Sequence, residues 1–426
     1  MQEKNDAVDI QVQNIAKPVQ VQERIEILDV IRGFALLGIL IFNIAAFSGP
    51  AGIYEAMGKG FWGGVKGFWD TRTVSFINFL IQGKFYTMFS LLFGLGFFIF
   101  LERAKEKVAR PKWLFYKRIL ILLLIGLLHI FFIWHGDVLV SYALVGLLLP
   151  LFFNLKPKNL LIWAGSIFFV LVASLTLVLG GFSLSDENMR AEMLKSTTAD
   201  LQYLIDASFL AYGSGTFAEI QAQRTSDAIR ALGNVFANFF AALPLFLIGL
   251  YIGKKGVFQN IDENLPLIKK VWIWGLAMGL PLSVVKLIAT NLMTGAPFSF
   301  FRVIHIGVGF FANLGIALFL MASLVLLWRK RSWLLRLKPL SYMGRMALSN
   351  YLLQSIICVL IFYNFGLGLY GQMGPALLFV LAIVIFIAQI FISKYWMKRY
   401  EFGPVEWLWK SLTYGKFFRM KKDASR

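Results

Sequence analysis

The chain has 426 residues, of which 58% are hydrophobic and 15% charged, and its mean hydropathy is +0.69. That balance excludes a water-soluble globular protein, which needs far more polar surface. The formal net charge of +19 would suggest nucleic acid in a soluble chain; here the basic residues sit in short connections between apolar runs, so membrane topology accounts for them and no nucleic-acid partner is expected.

Residues 1–26 are polar and lack the small-residue cleavage pattern of a signal peptide, so they read as a cytoplasmic N-terminus ahead of an uncleaved first span. Apolar runs of at least ~18 residues then recur to the end, the pattern of transmembrane helices. They predict an all-α polytopic bundle of about ten spans, near 27–48, 74–101, 115–134, 138–153, 159–181, 231–253, 270–291, 303–328, 346–366 and 375–397. The bilayer is therefore the first partner. Five spans fall in residues 27–181 and five in 231–397, with a basic tail over 398–426. The Gly- and Trp-rich stretch Gly49 to Asp70 reads as a re-entrant or interfacial segment, with a plain loop as the alternative.

Charge sorts the connections. Arg103, Lys105, Lys107, Arg110, Lys112, Lys117 and Arg118 crowd the second connection, and Lys156 and Lys158 mark the fourth. Lys254, Lys255, Lys269 and Lys270 mark the sixth, while Arg329, Lys330, Arg331, Arg336, Lys338 and Arg345 mark the eighth. Every even-numbered connection is basic, which by the positive-inside rule places those loops and both termini in the cytoplasm. The one long odd connection, 182–230, carries both signs of charge and reads as a helical extracytoplasmic cap.

Candidate chemistry begins with Leu127-Leu128-His129-Ile130-Phe131-Phe132-Ile133-Trp134-His135-Gly136-Asp137, which holds two of the chain's three histidines. An ionisable group in a span is costly and marks a candidate site, although interhelical hydrogen bonding explains a lone histidine equally well. His129 follows Arg118 by eleven residues and Asn43 follows Arg32 by eleven, so at 1.5 Å per residue both lie ~16 Å above the basic edge. That match predicts a polar centre between the spans. Near the far end, Asp137 is placed either to orient a histidine as general base or to cap the fourth span. Lys84 interrupts the second span and is read either as snorkelling or as a ligand-binding charge. Arg24, Asp29 and Arg32 cluster at the inner end of the first span and, with Arg118, offer arginines suited to phosphate. With three histidines and one cysteine, no metal site and no internal disulfide are expected.

Several blocks carry a family resemblance. Arg24 to Asn43, reading RIEILDVIRGFALLGILIFN, resembles the opening signature of the YeiB-like family of bacterial multi-pass proteins. Gly83-Lys84-Phe85 with Phe89-Ser90-Leu91-Leu92-Phe93-Gly94 resembles its second block, and Gly126-Leu127-Leu128-His129 with Gly136-Asp137-Val138-Leu139 its third. Gly344-Arg345-Met346-Ala347-Leu348-Ser349-Asn350-Tyr351 and Gly403-Pro404-Val405-Glu406-Trp407-Leu408-Trp409 resemble its C-terminal blocks. That family is similar to a wider group of transmembrane acyltransferases, including polysaccharide O-acetylases and lysosomal heparan N-acetyltransferases. The resemblance implies a bacterial plasma-membrane protein that takes acyl groups from cytoplasmic acyl-CoA, a co-substrate rather than a resident cofactor, and passes them to an envelope glycan or small-molecule acceptor. It places Arg24, Asp29, Arg32 and Gly33 on the related first-span motif. O-acetylases typically carry a histidine in the outward half of that span, where this chain has Asn43, and the catalytic expectation moves to His129 or His135, with Asp137, Asn43 and Lys84 assisting. A small-metabolite transporter and a non-catalytic sensor or scaffold are the alternatives.

Overall fold

The computed structural model describes residues 25–63, 65, 67–233, 235–293 and 299–422. Among them the structure is helical, without strands beyond one isolated bridge between Tyr400 and Lys421. In chain order the helices are α1 (Glu26–Ser48), α2 (Ala51–Ala56), α3 (Phe68–Leu80), α4 (Lys84–Lys105), α5 (Pro111–Phe132), α6 (Leu139–Gly146), α7 (Leu149–Phe152), α8 (Pro157–Leu184) and α9 (Glu187–Ser214). They continue with α10 (Phe217–Gly233), α11 (Val235–Lys254), α12 (Leu265–Met293), α13 (Phe301–Trp328), α14 (Arg331–Arg345), α15 (Ala347–Phe362), α16 (Pro375–Arg399) and α17 (Pro404–Tyr414). Prolines open α5, α8, α16 and α17, where the ring's fixed φ fits and the missing N–H leaves no helical bond unmade.

Among the described residues, seven helical stretches are long and apolar enough to cross a bilayer, and nine if two bent pairs each form one span. This is a polytopic membrane protein. The expected span 74–101 is not one straight helix. Gly83 takes φ +83°, a left-handed conformation that side chains disfavour, and separates α3 from α4. The expected span 138–153 is two short helices, α6 and α7. They nevertheless carry the chain from one end of the bundle to the other: Leu139 and Val140 abut Gly126 late in α5, while the Phe153 ring lies beneath Lys105 and Lys254 at the last turns of α4 and α11. The expected span 346–366 begins after a 79° bend from the basic helix α14.

Small residues set the packing. A Cβ at Gly94 or Gly249 would collide with the backbone of the partner between α4 and α11, and Gly275, Gly279 and Gly315 also let the backbones of α12 and α13 approach closely. Polar side chains add cross-links. Asn350 donates to Ser393 Oγ at 2.9 Å and Gln354 to Gln389 Oε1 at 2.9 Å, joining α15 to α16. Outward-facing Leu177, Phe169 and Phe391 are exposed, as a lipid-facing surface requires. Residues 182–230, expected to be a helical cap, run from the end of α8 through α9 and most of α10. In α10, Gln221 Nε2 donates to Phe131 O at 2.9 Å and Arg224 donates to Phe132 O at 2.8 Å. These side chains satisfy terminal carbonyls of α5 that the helix itself leaves open.

Candidate functional site

One stripe of α1 lines a long cavity. Asp29, Arg32, Leu36, Ile39 and Asn43 recur at alternating steps of three and four, which puts them on one helix face, and all five line a cavity of ≈ 740 Å³. Tyr86, Phe89, Phe93, Gly96 and Phe100 repeat the spacing on α4 and form the facing wall. The cavity therefore runs along the bundle. At the basic end its wall includes Arg32, Arg118, Arg345 and Glu406; its middle is apolar and aromatic; at the far end amides return with Asn43, Gln82, Asn238 and Asn313. A side pocket of ≈ 230 Å³ adds Arg103 and Lys107 and shares Asp29, Arg32 and Arg118 with the main cavity.

Two of the three expected phosphate-binding arginines, Arg32 and Arg118, meet at that basic end, with Asp29 beside them. Arg32 donates to Asp29 Oδ1 at 2.7 Å. The Arg118 guanidinium lies 3.7 Å from the centroid of Trp409, whose indole N–H donates to Arg118 O at 2.8 Å, so α17 fixes the arginine in place. Arg24 lies outside the described residues.

At the far end, His129 Nδ1 and Asp137 Oδ2 are 2.6 Å apart, and both side chains are closed to solvent. Asp137 Oδ1 accepts from Val140 N at 2.7 Å. The two roles foreseen for Asp137 are thus both filled, one by each oxygen: it orients a histidine and caps α6. That histidine is His129, not His135. Asp137 lines the cavity while His129 sits behind it, because residues 136–140 roof the face of α5 beyond Leu122. The other ring nitrogen, His129 Nε2, is buried without a partner among the described residues. Asn43 faces the cavity but makes no hydrogen bond to His129, so the expected amide–imidazole centre is replaced by a carboxylate–imidazole pair.

His135 belongs to a different structure. Its ring stacks on Tyr212, and its Nδ1 is 3.9 Å from Asp227, which accepts from the Tyr212 hydroxyl at 2.7 Å. This places it at the docking surface of α9 and α10, off the cavity wall. Lys84 does not snorkel: it is 0% exposed, with Nζ donating to Asn78 O at 3.2 Å.

Comparison with known sequences covers nearly the whole chain. The uncharacterized protein YxaH of Bacillus subtilis (strain 168) is 35% identical over 412 residues, covering 93% of this chain and 96% of YxaH. The chain belongs to the YeiB-like family. YeiB of Escherichia coli (strain K12), also named as uncharacterized, is 28% identical across 92% of this chain and 96% of its own length. An uncharacterized 39.9 kDa protein from Bacillus acidopullulyticus is 27% identical across 96% and 99%. The pattern of the family described as a protein of unknown function (DUF418) matches residues 252–416.

That matched stretch of the YeiB-like chain contains site residues that sequence reasoning missed. Lys286 and His305 line the far end of the cavity with Asn313, Tyr351 lines it beside Asp137, and Glu406 lines the basic end. Lys286 Nζ donates to Gln82 O at 3.2 Å, and His305 Nδ1 pairs with Thr290 Oγ1 at 2.9 Å. A charge inside the expected span 270–291 was the available signal for Lys286. Its neighbours come from remote helices and leave no local trace.

Proposed function

We propose that this YeiB-like protein is a plasma-membrane acyltransferase that moves an acyl group from cytoplasmic acyl-CoA to a hydroxyl or amine acceptor on the opposite side. One observation supports this above others: a single cavity links an arginine-lined vestibule to a carboxylate–imidazole pair at the far end of the bundle. Basic connections fall at the vestibule end, which the positive-inside rule assigns to the cytoplasm. Arg32 and Arg118, with Arg103 and Lys107 beside them, suit the phosphates of CoA, and the aromatic corridor suits an apolar arm reaching inward.

At the far end the acceptor oxygen attacks the thioester carbonyl. The new C–O bond forms as the C–S bond breaks, the acceptor's proton passes to the Asp137–His129 pair, and the departing thiolate takes a proton in turn. Asp137 lies in the cavity wall with its carboxylate bonded to His129 behind it, so a small opening of the wall brings the pair to the acceptor. Because the pair is buried, water does not compete for the proton.

A continuous cavity also suits transport of a small metabolite, so the experiment must separate the two. Protein reconstituted in liposomes with acetyl-CoA and labelled envelope extract should release free CoA thiol. His129→Ala should lower that rate by about 10²–10⁴-fold, the usual contribution of a positioned base. Unchanged turnover in the variant removes the mechanism. Solute flux without thioester consumption establishes the transporter.

A further inference from the structure

Two ammonium groups sit at the far end of the cavity in an environment that lacks matching negative charge. Lys84 is 0% exposed and Lys286 4% exposed, and neither makes an ion pair among the described residues. Each donates to one backbone carbonyl, Asn78 O or Gln82 O, around the break between α3 and α4. Removing an ammonium from water costs several kcal/mol, which buried cations usually recover from a carboxylate. The end of α3 supplies only about half a negative charge, too little for both. Arg302 adds further cationic character, since it acts electrostatically on both His305 and Glu55 in this cluster. Glu55 in α2 is the acidic neighbour; burial pushes its carboxyl above its ordinary range while Arg302 and Lys286 pull the other way. The cluster is cationic in excess.

Beside these charges lie amides with capacity to spare. Gln82 Oε1 and Asn313 Oδ1 are buried without partners among the described residues, and both residues line the cavity. Amides that both donate and accept match hydroxyl groups, whereas Lys286 and His305 on the same wall match an anion. A purely structural role, two lysines capping α3, explains neither the orphaned amides nor why Lys286 opens onto the cavity.

We infer that this end of the cavity is a subsite for an anionic polyol, a glycerol phosphate or sugar phosphate, whose phosphate contacts Lys286 and His305 and whose hydroxyls contact Gln82 and Asn313. Lys84 lies behind and adds to the positive field. As the identity of the acyl acceptor this rests on the acyltransferase reading; as a binding site it does not.

The test therefore reads binding rather than turnover. Full-length protein in phosphatidylcholine nanodiscs is titrated with glycerol 1-phosphate, glucose 1-phosphate, glycerol and glucose, following intrinsic tryptophan fluorescence and the thermal midpoint. A second arm replaces part of the phosphatidylcholine with phosphatidylglycerol, which distinguishes a lipid headgroup from a soluble phosphate. The expected result is saturable binding of the phosphorylated compounds, or a raised midpoint with phosphatidylglycerol, and no response to the neutral polyols. Lys286→Met should weaken binding by about 10- to 100-fold, the range for one hydrogen bond to a charged group. Asn313→Leu should weaken it less and keeps the question open to measurement if Lys286→Met fails to fold. Equal response to charged and neutral polyols, no response to any probe, or full binding by a folded Lys286→Met protein overturns the inference. Binding that persists while no thioester is ever consumed leaves the subsite standing and overturns the acyltransferase reading alone.

Discussion

Asp137 divides its carboxylate between the Val140 amide and the His129 imidazole, and two substitutions pull those roles apart. In Asp137→Asn the remaining oxygen still caps α6 while the amide nitrogen meets His129 as a donor. The melting temperature should move little, yet thioester turnover should fall by about 10²–10⁴-fold. Asp137→Ala removes both bonds, and loss of the cap alone should cost about 1–2 kcal/mol in a denaturation experiment. Comparable stability losses with unequal turnover losses would contradict that division. The sequence paired Asp137 with a histidine but left open whether it is His129 or His135. His129 and Asp137 are eight residues apart across a turn at Ile133 to Gly136, and only the return of α6 against Gly126 brings them together. Asn43 and Asp29 were readable because a single helix spacing orders them. Lys286 and His305 were not, because their surroundings come from the α3–α4 break.

Helix positions followed apolar length wherever a span is straight. The expected 27–48, 303–328 and 375–397 match Glu26–Ser48, Phe301–Trp328 and Pro375–Arg399 to within a few residues. Length alone did not show where helices break within or beside a span. Gly83 sits between Gln82 and Lys84, where the apolar run is interrupted without a change in its length, and the bend between Arg345 and Ala347 carries no proline at the break itself. The C-terminal helix α17 was legible only as a family block, yet it closes the basic end. Glu406 accepts from Leu348 N at 2.7 Å and Ser349 N at 3.1 Å, and also from the Ser349 hydroxyl, so it caps α15 from a remote helix. Glu406→Ala should uncap α15 and loosen α17 at a cost of about 1–3 kcal/mol. Limited proteolysis of the tail in detergent should then cut the variant faster than the native protein; equal rates would show that α17 is held by Trp409 and its apolar face instead.

For the whole molecule, the alternation of basic connections predicts which surfaces face which side. Cys358 is fully buried, so the native chain gives a blank with a membrane-impermeant thiol reagent. Tyr203→Cys in α9, at a position 71% exposed, should be labelled on intact cells, and Arg331→Cys at the start of α14 only after the membrane is opened. Labelling in the reverse order would invert the orientation and move the arginine vestibule away from cytoplasmic CoA. The link from α10 to the last turn of α5 gives this geometry a mechanical meaning. Gln221 and Arg224 hold the carbonyls of Phe131 and Phe132, two and three residues from His129. A hairpin that looks like decoration on the water side is therefore the tether of the helix end that carries the imidazole, and under the proposed reaction a ligand that tugs on it would be felt at the proton-transfer step.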